Sequence, residues 1–268
     1  MLLDFTRLDA VRARRPLIHC VSNQVSANDC ANLALAVGAS PMMALAPEEM
    51  ADITAQSDAT VLNTGTPEES RFSTCRLCGQ EAEALQRPVV LDPVGVGASP
   101  WRLRRVGELL DAFTPAILRV NFGEALALLS LTGREQGVDS PAAGNPAERL
   151  DTAKTLARRR HAVALLSGAE DLVTDGDRAV VLSGGSDWMA KVTGTGCMLS
   201  VLCGVFAAVE PDAFSAAALA AAFWKVCSRR AETAAQGRGP GTFRTALLVA
   251  AGTLTAAEFA AEAKLAEL

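Results

Sequence analysis

The run Lys191-Val192-Thr193-Gly194-Thr195-Gly196-Cys197 stands directly before the apolar stretch Met198 to Val209. Two glycines make a flexible turn, and the helix that follows opens with unpaired backbone N–H groups and the positive end of its dipole. Such a turn holds an anion without any basic side chain, so the chemistry it suggests is that of a phosphate. A glycine-punctuated loop before a buried helix would carry the same local pattern. Cys197 falls in the first helical turn, where the dipole favours thiolate and is expected to lower the thiol pKa from its usual ~8.5.

Other candidate residues follow short apolar runs. Asn23 comes after Leu17 to Val21, Asn63-Thr64-Gly65-Thr66 at the end of Thr60 to Asn63, and Asp92-Pro93-Val94-Gly95-Val96-Gly97 after Val89 to Leu91. Arg119, Asn121 and Glu124 lie at the end of Ala116 to Val120, and Ser167-Gly168 follows Ala162 to Leu166. Asp92 either caps its turn or positions Mg²⁺ between nucleotide phosphates. Glu124 is either a first-turn helix acid or a second carboxylate on the same ion. Arg119, at the end of a buried strand, needs an anionic partner, and a triphosphate supplies one. Met42 and Met43 are core residues by type, although methionine also makes a soft wall for a flat apolar ring.

These residues need a scaffold that brings strand ends together. The strand-like runs above, with Leu172 to Thr174 and Ala179 to Leu182, alternate with helical stretches. That alternation predicts a mostly parallel sheet covered by helices on both faces. In such sheets ligands gather beyond the carboxyl ends of the strands, which would collect all five polar groups in one crevice. Ser26 with Asp29 reads as a capping-box start for a helix that Gly38 ends, and Pro47-Glu48-Glu49 opens another. From Gly196 onward the pattern is almost wholly helical, with alanine-rich stretches at Ala216 to Trp224 and Ala246 to Ala263. Gly133 to Pro146 reads as a surface loop within a single domain spanning residues 1–268.

With 268 residues, half of them apolar, the chain can bury a large core. A net charge of −5 argues against a nucleic-acid or anionic-membrane surface, and the arginine clusters at 12–15 and 158–160 read as solvated faces. Asp4, Arg7 and Asp9 interrupt any leader-like apolar core, and no apolar run reaches the roughly 18 residues of a membrane span. A cytoplasmic protein is expected. Seven cysteines, an odd number, read as reduced thiols, and Cys75-Arg76-Leu77-Cys78 has only His19 and His161 in the whole chain to complete a zinc site. There is no tyrosine, so no phenol serves in catalysis.

The segments Pro16 to Asn23 with Val25 and Asn28-Asp29, Gly38 to Met43, Val61 to Thr66, Pro88 to Ala98 and Lys191 to Cys197 together resemble the hydroxyethylthiazole kinases of the ribokinase-like superfamily. The likeness keeps its order from about residue 16 to about 250 and includes Gly239 to Arg244. The resemblance implies a three-layer α/β/α ribokinase-like fold. It also implies ATP-dependent phosphorylation of the hydroxyl of 4-methyl-5-(2-hydroxyethyl)thiazole in thiamine salvage, with Mg²⁺, in a homotrimer whose active sites lie between subunits. Carried over by position, it makes Asn23, Val25 and Met43 thiazole-pocket residues, Gly194 a substrate contact and Cys197 the catalytic cysteine. Arg119 matches the ATP-binding arginine, and Ser167 stands where a threonine contacts ATP. Thr195 and Gly196 belong to the ATP side of the glycine turn, and Asp92 and Glu124 match acids near Mg²⁺. The chain departs from the family pattern at Val120, at Phe122-Gly123 before the glutamate, and at Trp188, where an aliphatic residue is usual.

Overall fold

A computed structural model describes residues 3–131 and 144–268. The chain order begins with α1 (Arg7–Arg14), β1 (Leu17–Val21), α2 (Ala27–Val37), β2 (Ser40–Met42), α3 (Met50–Gln56), β3 (Ala59–Asn63) and α4 (Glu69–Ala84). It continues with β4 (Val89–Asp92), α5 (Pro100–Ala112), β5 (Ile117–Asn121), α6 (Phe122–Ser130), α7 (Pro146–Arg160), β6 (Val163–Ser167), β7 (Asp171–Thr174) and β8 (Ala179–Ser183). The C-terminal part holds α8 (Thr195–Ala207), α9 (Ala213–Ala235), α10 (Pro240–Thr253), α11 (Ala256–Glu262) and β9 (Lys264–Glu267).

Among the described residues the strands form one sheet in the order β2-β1-β3-β4-β5-β6-β7-β8-β9. The six from β2 to β6 are parallel, and β7, β8 and β9 add antiparallel to the far edge. Every strand expected from the sequence is present within a residue or so. Two were not expected. β2 is a three-residue strand containing Pro41, tolerable because an edge strand has a neighbour on one side only and need not donate an N–H to a second ladder. β9 corrects the reading that everything after Gly196 is helical: Lys264 to Glu267 pairs with β8 on the opposite edge.

Strand alternation sorts the core into two layers. Val61, Val90, Ile117 and Leu165 point to one face, where they meet α2, α8, α9 and α10. Leu62, Leu91, Leu118 and Leu166 point to the other, against α4, α5, α6 and α7. The three-layer α/β/α arrangement is therefore a direct consequence of parallel strands that are apolar on both sides.

Local starts and stops have identifiable causes. Asn121 and Asn145 each cap a helix reciprocally with the glutamate three residues on, and Gly38 ends α2 at φ +109°. The capping box expected at Ser26 and Asp29 is absent. Ser26 occupies the cap position without a side-chain bond, and Asn23 Oδ1 takes the nearby backbone N–H groups instead. Asp29 turns to Arg244 on α10, whose Nε lies 3.0 and 3.1 Å from its two carboxylate oxygens. Cys75 and Cys78 are buried in the core beneath α4, where Cys78 Sγ lies 3.1 Å from Met50 Sδ. The connection expected at Gly133 to Pro146 lies mostly outside the described residues. Among those described, no helix is long and apolar enough to cross a membrane.

Candidate active site

The parallel strands end on one edge, and their alternation decides which side chains meet there. Asn63, Asp92, Arg119 and Ser167 each lie two residues beyond a core residue of the α8-facing layer, so all four project toward the start of α8. Register places Asn63 beside Asp92 and Asn121 beside Ser167. Asn63 Nδ2 donates to Asp92 Oδ2 at 2.8 Å, and Ser200 Oγ, one turn into α8, reaches the same oxygen at 2.7 Å. The Asp92 side chain thus serves the interior of the site and not its own turn.

Arg119 Nη1 pairs with Asp92 Oδ1 at 3.4 Å and Nη2 donates to Ser167 Oγ at 2.7 Å, while Nε has no partner among the described residues. Asp92 supplies the protein anion that a buried guanidinium requires. Burial works against the charge on Arg119, but Asp92, Glu124 and Asp171 more than offset it and leave the group more firmly protonated than usual. The Glu124 carboxylate accepts the backbone N–H groups of Gly95 and Asn121, each at 2.8 Å. It is the first-turn acid of a capping box, and burial, only partly countered by Arg119, raises its pKa.

Gly194 caps α8 at φ +83°, a conformation that a side chain would strain. A β-carbon at Gly196 would come within 2.5 Å of Arg119 Nη2, so the absence of a side chain is what lets the first turn of α8 lie against the guanidinium. Thr195 Oγ1 donates to the Met189 carbonyl at 3.1 Å, and Trp224 Nε1 donates to the Thr195 carbonyl at 3.1 Å. These bonds fix the turn from two further sides. The mouth of α8 opens into a cavity of about 480 Å³ bounded by Arg119, Ser167, Thr195, Gly196, Asp171 and Lys225.

Cys197 is the one partly exposed cysteine of the seven. Its thiol pKa is raised, not lowered as the dipole alone suggests: burial comes first and the charge of Asp92 second, and together they outweigh the neighbouring hydrogen bonds and Arg119. Asn23 Nδ2 donates to its Sγ at 3.3 Å. Gly194 packs against Ser26, Met43 is half-buried, and Val25 stands 60% exposed at the rim. The residues of the departures from the family pattern are accommodated by packing. Val120 and Phe122 are buried in the layer beneath α6, and Trp188 lies 4.9 Å from Lys191 Nζ and 6.0 Å from the Phe243 ring.

Sequence reasoning missed Asp171, Lys225, Trp224 and Ser200. Lys225 Nζ pairs with buried Asp171 at 3.1 Å and donates to the carbonyls of Gly168 and Ala169 at 2.8 and 2.9 Å. The available signal was a lysine following the apolar, alanine-rich first half of α9. Asp92 and Glu124 fit an ion held mostly by phosphates and water, because each carboxylate is already bonded to protein donors and keeps only part of its lone pairs free. Among the described residues no three His, Cys, Asp or Glu side chains group closely enough to cage a metal.

Comparison with known proteins agrees with this geometry. The model of the hydroxyethylthiazole kinase family matches residues 8–257. A hydroxyethylthiazole kinase of Methanosphaerula palustris is 40% identical over 99% of both chains, and one of Nitratidesulfovibrio vulgaris is 44% identical over 89% of this chain and 88% of its own. The solved structure of the hydroxyethylthiazole kinase protein from Pyrococcus horikoshii superposes with a TM-score of 0.89 at 34% identity, covering 98% of each chain. Staphylococcus aureus pyridoxal kinase in complex with AMP-PCP and pyridoxal shares the fold, with a TM-score of 0.59 at 15% identity over 80% of this chain and 87% of its own. By its sequence, by the fold and by what gathers at the mouth of α8, the chain belongs to the hydroxyethylthiazole kinase family.

Proposed function

We propose that this protein transfers the γ-phosphoryl group of ATP to the hydroxyl of 4-methyl-5-(2-hydroxyethyl)thiazole, the phosphorylation step of thiamine salvage. Family membership supports the reading, and one observation carries it at the level of chemistry: the first turn of α8, at Thr195 and Gly196, and the Arg119 guanidinium line one cavity, and Cys197 is the next residue of that turn. Phosphoryl transfer passes through a loose transition state, so alignment and stabilisation of negative oxygens matter more than a strong base. The backbone amides of Gly194, Thr195, Gly196 and Cys197 form the anion cradle. Arg119 and Ser167, which both line the cavity, hold the nucleotide. Cys197 orients the substrate hydroxyl and takes its proton late.

In this reading Asn23, Val25, Met43 and Gly194 border the thiazole pocket. Asp92 and Glu124 would hold Mg²⁺, which supplies neutralisation of phosphate charge when bound. The homotrimer is what the family resemblance implies, and in it a neighbouring subunit would cover Val25, an apolar residue 60% exposed in the single chain. Residues 1–268 act as one cytoplasmic kinase domain. The test is an ATP and Mg²⁺ assay of the purified protein against the thiazole alcohol, pyridoxal and hydroxymethylpyrimidine. Preferential turnover of the thiazole alcohol is expected, and absence of that turnover, or preference for another alcohol, overturns the assignment.

A further inference from the structure

The Asn23 side chain has no hydrogen-bonding capacity left for a substrate. A carboxamide offers two N–H donors and an oxygen with two lone pairs. Asn23 Oδ1 accepts from the Val25 N–H at 2.9 Å and the Ser26 N–H at 3.0 Å. Its Nδ2 donates to Asn63 Oδ1 at 3.0 Å and to Cys197 Sγ at 3.3 Å. Turning the amide over would aim its donors at two backbone N–H groups, so the orientation is fixed. Asn63 is locked in the same way, because its Oδ1 also accepts the Gly65 N–H at 2.9 Å and its Nδ2 is committed to Asp92. Both side chains are buried, at 4% and 3% exposure.

The consequence falls on Cys197. With an N–H held toward the sulfur from one side, the S–H proton cannot point at Asn23, which presents no acceptor there. We infer that Asn23 is a positioning residue that acts through Cys197, its amide holding Sγ at the mouth of α8 so that the sulfur's remaining capacity faces the substrate hydroxyl. Asn23 then shapes the pocket but does not bind the thiazole by hydrogen bonds. The kinetic side of this inference rests on the phosphoryl-transfer reading above. The packing of asparagine against sulfur does not.

Two variants of the full-length enzyme keep the backbone turn while removing the donor. Asn23→Asp retains an oxygen for Val25 and Ser26 and places a second oxygen against Asn63 Oδ1 and the sulfur. Asn23→Ser can cap the same N–H groups with its hydroxyl but is too short to reach Cys197. Both should lower kcat, Asn23→Asp by about ten-fold or more, with KM for the thiazole alcohol changed less than about two-fold. In a Cys197→Ala background, Asn23→Asp should change kcat by less than about two-fold, because the group it acts through is gone. Iodoacetamide modification, which reads Cys197 because the other six cysteines are buried, should slow by about ten-fold at a fixed pH near 8. A raised KM at constant kcat, an unchanged alkylation rate, or effects that simply add in the double variant overturns the inference. If Asn23→Asp does not fold, Asn23→Ser decides by the same readouts. Failure of the wild-type protein to phosphorylate the thiazole alcohol removes the functional assignment instead, and the alkylation rates still decide the role of Asn23.

Discussion

The proposed reaction casts Cys197 as the base, yet burial and then the charge of Asp92 raise its thiol pKa and favour the protonated form. A positioned general base contributes roughly 10²- to 10⁴-fold, and a reluctant thiol in a loose transition state should fall at or below the lower end of that range. Cys197→Ala is therefore expected to lower turnover by about ten- to a hundred-fold without abolishing it, as read by single-turnover product formation. In the proposed reaction Arg119 makes a different kind of contribution, since it would meet the nucleotide in ground and transition states alike. Loss of a charged hydrogen bond worth roughly 1.5–3 kcal/mol should raise the ATP KM by ten-fold or more in Arg119→Ala, and an unchanged KM would remove the arginine from the site. Asp92 and Arg119 were legible in the sequence because a charge at the end of an apolar run has few places to go. The direction of the Cys197 pKa was not. A dipole argument uses only the helix, whereas desolvation depends on Asn23, Asn63 and the sheet beneath, which arrive from more than a hundred residues away in sequence.

At the scale of elements, the site is a contact between one helix and the ends of four strands. The first turn of α8 can sit on Arg119 only because position 196 carries no side chain. Gly196→Ala puts a methyl into the guanidinium, and the arginine, as the movable partner, should yield before the helix does. The expected outcome is a several-fold or larger rise in the ATP KM with a melting temperature within a few degrees of wild type, measured by steady-state kinetics and differential scanning calorimetry. A collapse in stability with ATP KM unchanged would show that the close approach serves packing alone. The alternation of β1, β3, β4, β5 and β6 was readable because strands buried on both faces are apolar runs ended by polar residues. The helix start at Ser26 was misread because the asparagine three residues upstream takes the Ser26 N–H that Asp29 would have accepted in a capping box, and short polar side chains in a turn do not announce which of them will cap.

Across the whole molecule, the parallel half of the sheet presents the strand ends, and the antiparallel half closes the far wall of the cavity. β9 escaped sequence reading because only one of its four residues is even half-buried, leaving no strong alternation to detect. That far wall carries a buried charge pair, Asp171 on β7 and Lys225 on α9, and its titration should be visible in global stability. Burial raises the Asp171 pKa above the ordinary carboxylate value, and Lys225 only partly counters it. In the pH window between the unfolded and the raised folded value, the native state therefore holds more protons than the unfolded chain. Stability contributed by this group falls as pH rises through that window, and the full penalty is present above it. Asp171→Asn keeps an oxygen for the Gly168 N–H and removes the titration, while Lys225 retains its two carbonyl acceptors. Urea unfolding of nucleotide-free protein from mildly acidic to neutral pH should show the stability of Asp171→Asn relative to wild type increasing with pH through this window. A difference that stays constant across it would mean that Asp171 is ionised throughout and that the Lys225 contact, not desolvation, governs this wall of the cavity.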